Sequence, residues 1–190
     1  MKKLLYTLLA VSIIFSACKK EEEEPTNNTN NNNSGNTTNL AIGDTHQGGI
    51  IFYLDGNGGG LVAASFDQYS SAEWGCDETL ISGADGTAIG TGSQNTIDIE
   101  AGCSTTGTAA DICVNYTDGT YSDWFLPSKD ELDMMFVNLH FQGLGGFAAF
   151  AYWSSTESGS YNAWVQYFFN GGQNLNYKVN GTSVRAVRAF

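Results

Sequence analysis

Apolar positions recur along this chain in several distinct rhythms. Leu4 to Phe15 is a mostly apolar run without charge behind Lys2 and Lys3. It is shorter than the roughly 20 residues that a membrane-spanning helix needs, so it reads as the core of an export signal. Gly49 to Leu54 (GIIFYL) and Gly60 to Ser65 (GLVAAS) are short β-prone runs separated by Asp55-Gly56-Asn57-Gly58-Gly59, which predicts a hairpin. Leu132, Met135, Phe136 and Leu139 follow at i, i+3, i+4 and i+7, one face of an amphipathic helix over 128–140. Ser128-Lys129-Asp130-Glu131 opens that helix as a capping box, Pro127 and Leu132 are placed as a hydrophobic staple, and Gly143, Gly145 and Gly146 stop it. Gln94 to Ala101 and Thr108 to Tyr116 carry a weaker helical spacing. Beyond Ala151 the pattern predicts four strands, Tyr152–Ser155, Ala163–Phe169, Leu175–Val179 and Val184–Ala189, with turns at Asn170-Gly171-Gly172 and Asn180-Gly181.

The first 39 residues have a different character. Phe15-Ser16-Ala17-Cys18 resembles a lipobox, in which small residues precede a cysteine that is lipidated after cleavage. Residues 1–17 are therefore expected to be a lipoprotein signal peptide and Cys18 the lipid attachment site. Lys19-Lys20-Glu21-Glu22-Glu23-Glu24 resembles a surface-export tract of Bacteroidetes-type lipoproteins. Pro25 to Asn39 is dominated by Asn and Thr and has no apolar residue, so it cannot offset its ordering entropy and should form a disordered tether. As a flexible coil, residues 19–39 would span about 25 Å. The expected organisation is signal 1–17, tether 18–39 and one domain at 40–190, lipid-anchored on an outer membrane and facing outward.

Charge and cysteine count narrow the chemistry. Of eight Lys and Arg, four lie in the domain (Lys129, Lys178, Arg185, Arg188); of twenty Asp and Glu, all but Glu21 to Glu24 lie there. The whole net charge of −12 thus belongs to residues 40–190, a field that opposes nucleic acids and other polyanions. Val184, Ala186 and Arg188 alternate with Arg185, Val187 and Ala189, so the two arginines face opposite ways and one of them is expected to pair with an interior carboxylate. Three cysteines follow Cys18, and an exported chain is expected to form one disulfide and keep one thiol. Cys76–Cys103 is the favoured pair, with pairings through Cys113 left open. Only His46 and His140 could join a metal cluster, so no metal and no cofactor are expected. Asp55 and Asn57 resemble the start of a calcium loop, but the downstream Glu is missing and turn chemistry accounts for them. Asp130, Glu131 and Asp133 fit the first turn of a helix, where carboxylates meet its positive end. No nucleophile–base arrangement stands out, so the chain is not expected to be an enzyme.

A family resemblance rests on an ordered series of motifs. Trp74-Gly75-Cys76, Ala88-Ile89-Gly90-Thr91-Gly92, Trp124-Phe125-Leu126-Pro127-Ser128-Lys129-Asp130-Glu131-Leu132, Tyr152-Trp153-Ser154-Ser155-Thr156-Glu157, Ala163-Trp164 and Val184-Arg185-Ala186-Val187-Arg188-Ala189-Phe190 together resemble the C-terminal domain of the Legionella collagen-like adhesin. The resemblance covers residues 42–190. It implies a C-type-lectin-like α+β fold, two helices flanking small twisted antiparallel sheets, and binding of a carbohydrate or protein ligand outside the cell. A trimer, or a structural role in an envelope assembly, is the alternative that the adhesin relative implies. The sulfated glycosaminoglycans associated with that adhesin do not suit so acidic a domain. The Glu-Pro-Asn and Gln-Pro-Asp sugar motifs of calcium-dependent lectins are absent. Formylglycine-generating enzymes share the lectin-like fold, but no cysteine follows Cys113 to serve such catalysis. The C-terminal part is also similar to the variable region of lectin-fold proteins diversified by retroelements, which implies a displayed set of Ser158, Tyr161, Asn162, Gln166, Asn170, Gln173, Asn174, Asn176 and Tyr177. Turn chemistry is the competing account of most of these asparagines.

Overall fold

The computed structural model describes residues 39–190. The signal segment, Cys18 and residues 19–38 of the tether lie outside the described residues. The first sheet opens with β1 (Thr45–His46), β2 (Gly49–Leu54) and β3 (Gly60–Ala64). The predicted hairpin is β2–β3, and its loop is an Asx turn: Asp55 Oδ1 accepts from the amides of Asn57 (2.7 Å) and Gly59 (3.0 Å). β4 (Tyr69–Ala72) follows, then α1 (Gly92–Gly102), α2 (Ala109–Val114) and α3 (Lys129–Asn138), with a 3-10 turn at His140–Gln142. β5 (Ala151–Gly159), β6 (Asn162–Tyr167), β7 (Gln173–Tyr177), β8 (Thr182–Val184) and β9 (Val187–Ala189) complete the chain. The described residues hold three α-helices where the resemblance implied two; the third is the single short turn of α2.

Two sheets result, ordered β1-β2-β3-β9 and β4-β8-β5-β6-β7. The second is not wholly antiparallel, because β8 runs parallel to β5 at Tyr152↔Ser183. The expected single strand over 184–189 is instead two short strands, one in each sheet. Between them the Ala186 amide donates to Gln68 Oε1 (2.6 Å), and the Ala186 carbonyl accepts from the Ala64 amide (2.9 Å). Arg185 turns inward there, with Nε on Asp67 (2.7 Å) and Nη1 on the carbonyls of Ala64 and Gly145 (both 2.9 Å). Alternating apolar residues signal extended backbone; they carry no information about which sheet each half joins.

Both sheets bury side chains on two faces, which explains why GIIFYL and GLVAA are nearly unbroken apolar runs. Ile51, Val62, Trp153, Ala163, Val165 and Val184 pack with Trp74, Ile99 of α1 and Ala109, Ala110 and Cys113 of α2. Phe52, Leu61, Tyr152 and Phe168 pack on the other side with Leu132, Met135 and Leu139 of α3. Cys76 and Cys103 form the expected disulfide, with Cα atoms 5.6 Å apart, and Cys113 is a buried free thiol whose pKa burial pushes up.

The capping box of α3 forms as the sequence predicts, yet Glu131 does more than meet a helix dipole. Its buried carboxylate accepts from the Ser128 amide (2.7 Å) and also from the Gly90 amide (2.7 Å) at the entrance to α1. Thr91 gives α1 no side-chain cap and the first turn holds no acid, so Glu131 supplies from a distance what the helix lacks. A Cβ on Gly92 would lie 2.2 Å from that carboxylate, which explains glycine there. Desolvation raises the Glu131 pKa and the backbone donors work against it.

Candidate functional site

Charge inside the domain is arranged so that little of it reaches the surface as a cation. Lys178 is fully buried; its Nζ lies 2.5 Å from Glu157, donates to the Thr79 carbonyl (2.7 Å) and sits over the Trp74 ring. Both Glu157 oxygens accept from the Ile81 amide at 2.9 and 3.0 Å. Arg185 pairs with Asp67 and Arg188 with Asp123. One arginine, Arg185, thus meets a largely buried carboxylate as expected, while Arg188 pairs with the exposed Asp123 and also covers the Tyr121 ring. Lys129, the fourth basic side chain of the domain, lies 4.7 Å over the Trp164 ring. The Glu157–Lys178 pair ties the 74–84 loop to the second sheet, and Arg185 ties the crossover between the sheets to the β3–β4 loop.

The β6–β7 hairpin is where the sequence-predicted set falls. Its register pairs Asn162 with Tyr177, Trp164 with Leu175 and Gln166 with Gln173. The Lys178 amide donates to Tyr161 and the Tyr167 amide to Gly172, so 161/178, 163/176, 165/174 and 167/172 are the hydrogen-bonded pairs. The pairs between them are the ones whose side chains approach most closely. Ala163 and Val165 point into the core; Asn162, Trp164, Leu175 and Tyr177 share the opposite face. The start of α3 covers part of that face through Lys129. Leu175 and Tyr177, 41% and 60% exposed, stand open beside it.

The predicted residues divide accordingly. Tyr177, Asn162 and Tyr161 lie at one end of the hairpin, with exposed Ser158 on the strand before its turn. Asn170 lies in the turn at the other end, about 15–20 Å away by strand rise. There its side chain accepts from Gly172 (2.9 Å) in turn chemistry. Gln166 is not displayed at all: it is 0% exposed, donating to Asp133 (3.0 Å) and to the Gly171 carbonyl (2.8 Å). Its place beneath α3 follows from tertiary packing that no local pattern encodes. Gln173 is half-buried and donates to the Lys129 carbonyl. Asn176 bonds Thr182 (3.2 Å) and Asn180 (2.6 Å). Trp164, Leu175 and Lys129 belong to this face and were missed; the alternation of the Trp164-bearing strand with NLNY, aligned across the Asn170-Gly171-Gly172 turn, could have found the first two.

On the opposite edge of the same sheet, β4 and the disulfide loop enclose an open cleft of about 410 Å³, lined by Tyr69, Glu73, Thr105, Thr106 and Ile112 among others. The Thr108 hydroxyl at its rim already caps α2. Among the described residues no group of three or more His, Cys, Asp or Glu could hold a metal ion, and no helix is long and apolar enough to cross a membrane.

The fold is thus a mixed α+β domain with three of its four cations in ion pairs and one hairpin face half open. The Lcl C-terminal domain family matches residues 67–188, more than half of the chain, and this chain is a member of that family. The family comprises non-catalytic surface adhesion domains. A search of curated proteins finds no match.

Proposed function

We propose that this chain is a lipid-anchored adhesion module, held by Cys18 on the outer membrane and displayed outward, whose lectin-like domain binds an uncharged glycan on the β6–β7 face. Leu175 and Tyr177 offer apolar surface for the C–H face of a sugar ring beside the Lys129-covered Trp164, and Asn162 and Tyr161 offer hydrogen-bonding groups next to them. The observation that carries the choice of ligand is the fate of the cations. Three of the domain's four are committed to ion pairs and the fourth covers Trp164, so a sulfated or nucleic-acid ligand finds no cluster of free Lys or Arg. The test is glycan-array binding by the full chain at low and moderate salt. Binding to neutral glycans with little salt dependence is expected. Binding confined to sulfated glycans and abolished by salt would refute the ligand class, and capture of proteins alone would transfer the same face to a protein partner.

A further inference from the structure

β7 is an edge strand, paired only with β6. Because 174, 176 and 178 bond inward across the hairpin, the backbone groups of Gln173, Leu175 and Tyr177 point away from the sheet. A row of outward N–H and C=O groups is a template for another strand. Here the row is partly occupied, at both of its amides nearest the open end of the hairpin. The Leu175 amide donates to the side-chain oxygen of Asn174 (2.8 Å), and the Tyr177 amide donates to that of Asn176 (3.0 Å). The Tyr177 carbonyl accepts from the Asn180 amide (2.9 Å). Each asparagine follows the same rule, folding its amide oxygen forward onto the next residue's outward N–H. The repeat Asn174-Leu175-Asn176-Tyr177 therefore places one cap per outward amide, and the open side-chain face of Leu175 and Tyr177 remains free.

We propose that Asn174 and Asn176 shut the β7 edge against strand addition by a second copy of this chain. An incoming strand must displace each cap before it can bond the amide beneath it, at Leu175 and at Tyr177, so the hairpin is a latent self-pairing surface hindered by two side chains. The closure keeps an apolar, outward-facing hairpin from being consumed by edge-to-edge pairing. It also assigns Asn174 and Asn176 to the strand's own backbone, distinct from the face on which the ligand reading rests, so oligomeric state and ligand binding test the two separately.

The experiment compares the full chain with its Asn174→Val Asn176→Val variant by sedimentation and by amide hydrogen exchange. Valine keeps strand propensity and removes both acceptors. The variant is expected to show a concentration-dependent rise in mass, roughly twofold at saturation, that the parent chain lacks. Adding Leu175→Pro should restore the parent's behaviour, because it removes an outward N–H that β6 does not use. Asn176 also braces Asn180 and Thr182, so Asn174→Val alone serves as the milder variant; Asn174 is exposed and its loss should accelerate Leu175 exchange at low concentration several-fold. Unchanged mass in folded variants at every concentration would overturn the proposal. So would association that Leu175→Pro leaves intact, or Leu175 exchange indifferent to Asn174→Val.

Discussion

Tyr177 and Lys178 are adjacent in the chain, yet one side chain is 60% exposed and the other 0%. Ser158 and Glu157 divide the same way on β5. The buried members of these pairs form an ion pair that fastens the second sheet to the 74–84 loop; the exposed members stand at the end of the hairpin. The difference separates two kinds of residue that a motif mixes together. Trp153, Ser154, Ser155, Thr156 and Glu157 are all buried, and so are Arg185 and Arg188. Most of the pieces by which the family is recognised are scaffold. Trp164 and Lys129 are the motif residues that reach the hairpin face, and the exposed residues beside them, Leu175 and Tyr177, lie outside the motifs.

The largest effect expected from this division lies in the scaffold. Glu157→Ala leaves Lys178 buried without a counter-charge and should destabilise the domain by about 3–5 kcal/mol, whereas the joint Glu157→Gln Lys178→Met variant should lose less. Urea midpoints of the two variants check this ordering. Opening the disulfide by Cys76→Ala Cys103→Ala should cost about 3 kcal/mol, since it frees a loop of 27 residues in sequence; thermal unfolding reads that loss.

Glu131 gives a smaller effect with a defined pH signature. Burial raises its folded-state pKa above 4.5, so the folded protein binds the proton more readily than the unfolded chain. The stability contributed by that proton is fully present below about pH 4.5 and is lost as pH rises through the folded value. Glu131→Gln keeps a capping-box acceptor without the charge. The gap between variant and parent should therefore shift in the variant's favour from pH 4 to pH 7, as measured by urea midpoints across that range. A gap independent of pH would remove the desolvated carboxylate from the account.

The sequence carried the local elements well. The capping box at Ser128 and Glu131, the Asx turn at Asp55 and the two hairpins are short-range chemistry, and each forms where its residues predict. The Cys76–Cys103 pair was favoured and forms. What the pattern did not carry is long-range. Nothing near Val184–Ala189 shows that the backbone changes sheets at Arg185 and Ala186, because the partners that hold it there, Asp67 and Gln68, lie over a hundred residues away. The resemblance to a variable region puts Gln166 in the displayed set, whereas Asp133 from α3 and the Gly171 carbonyl hold it buried. The proposed ligand face was legible in Asn162 and Tyr177 but not in Trp164 or Leu175, which look like core residues until the register aligns them with Asn162 and Tyr177.

The most direct measurement is the pairing of stability with binding in the Leu175→Ala Tyr177→Ala variant of the full chain. Both side chains are exposed, so stability should stay within about 0.5 kcal/mol of the parent for each substitution. Binding to the neutral glycans retained by the parent should fall at least about tenfold, or about 1.4 kcal/mol. Undiminished binding by a fully stable variant would contradict the account, and would move recognition away from the β6–β7 face.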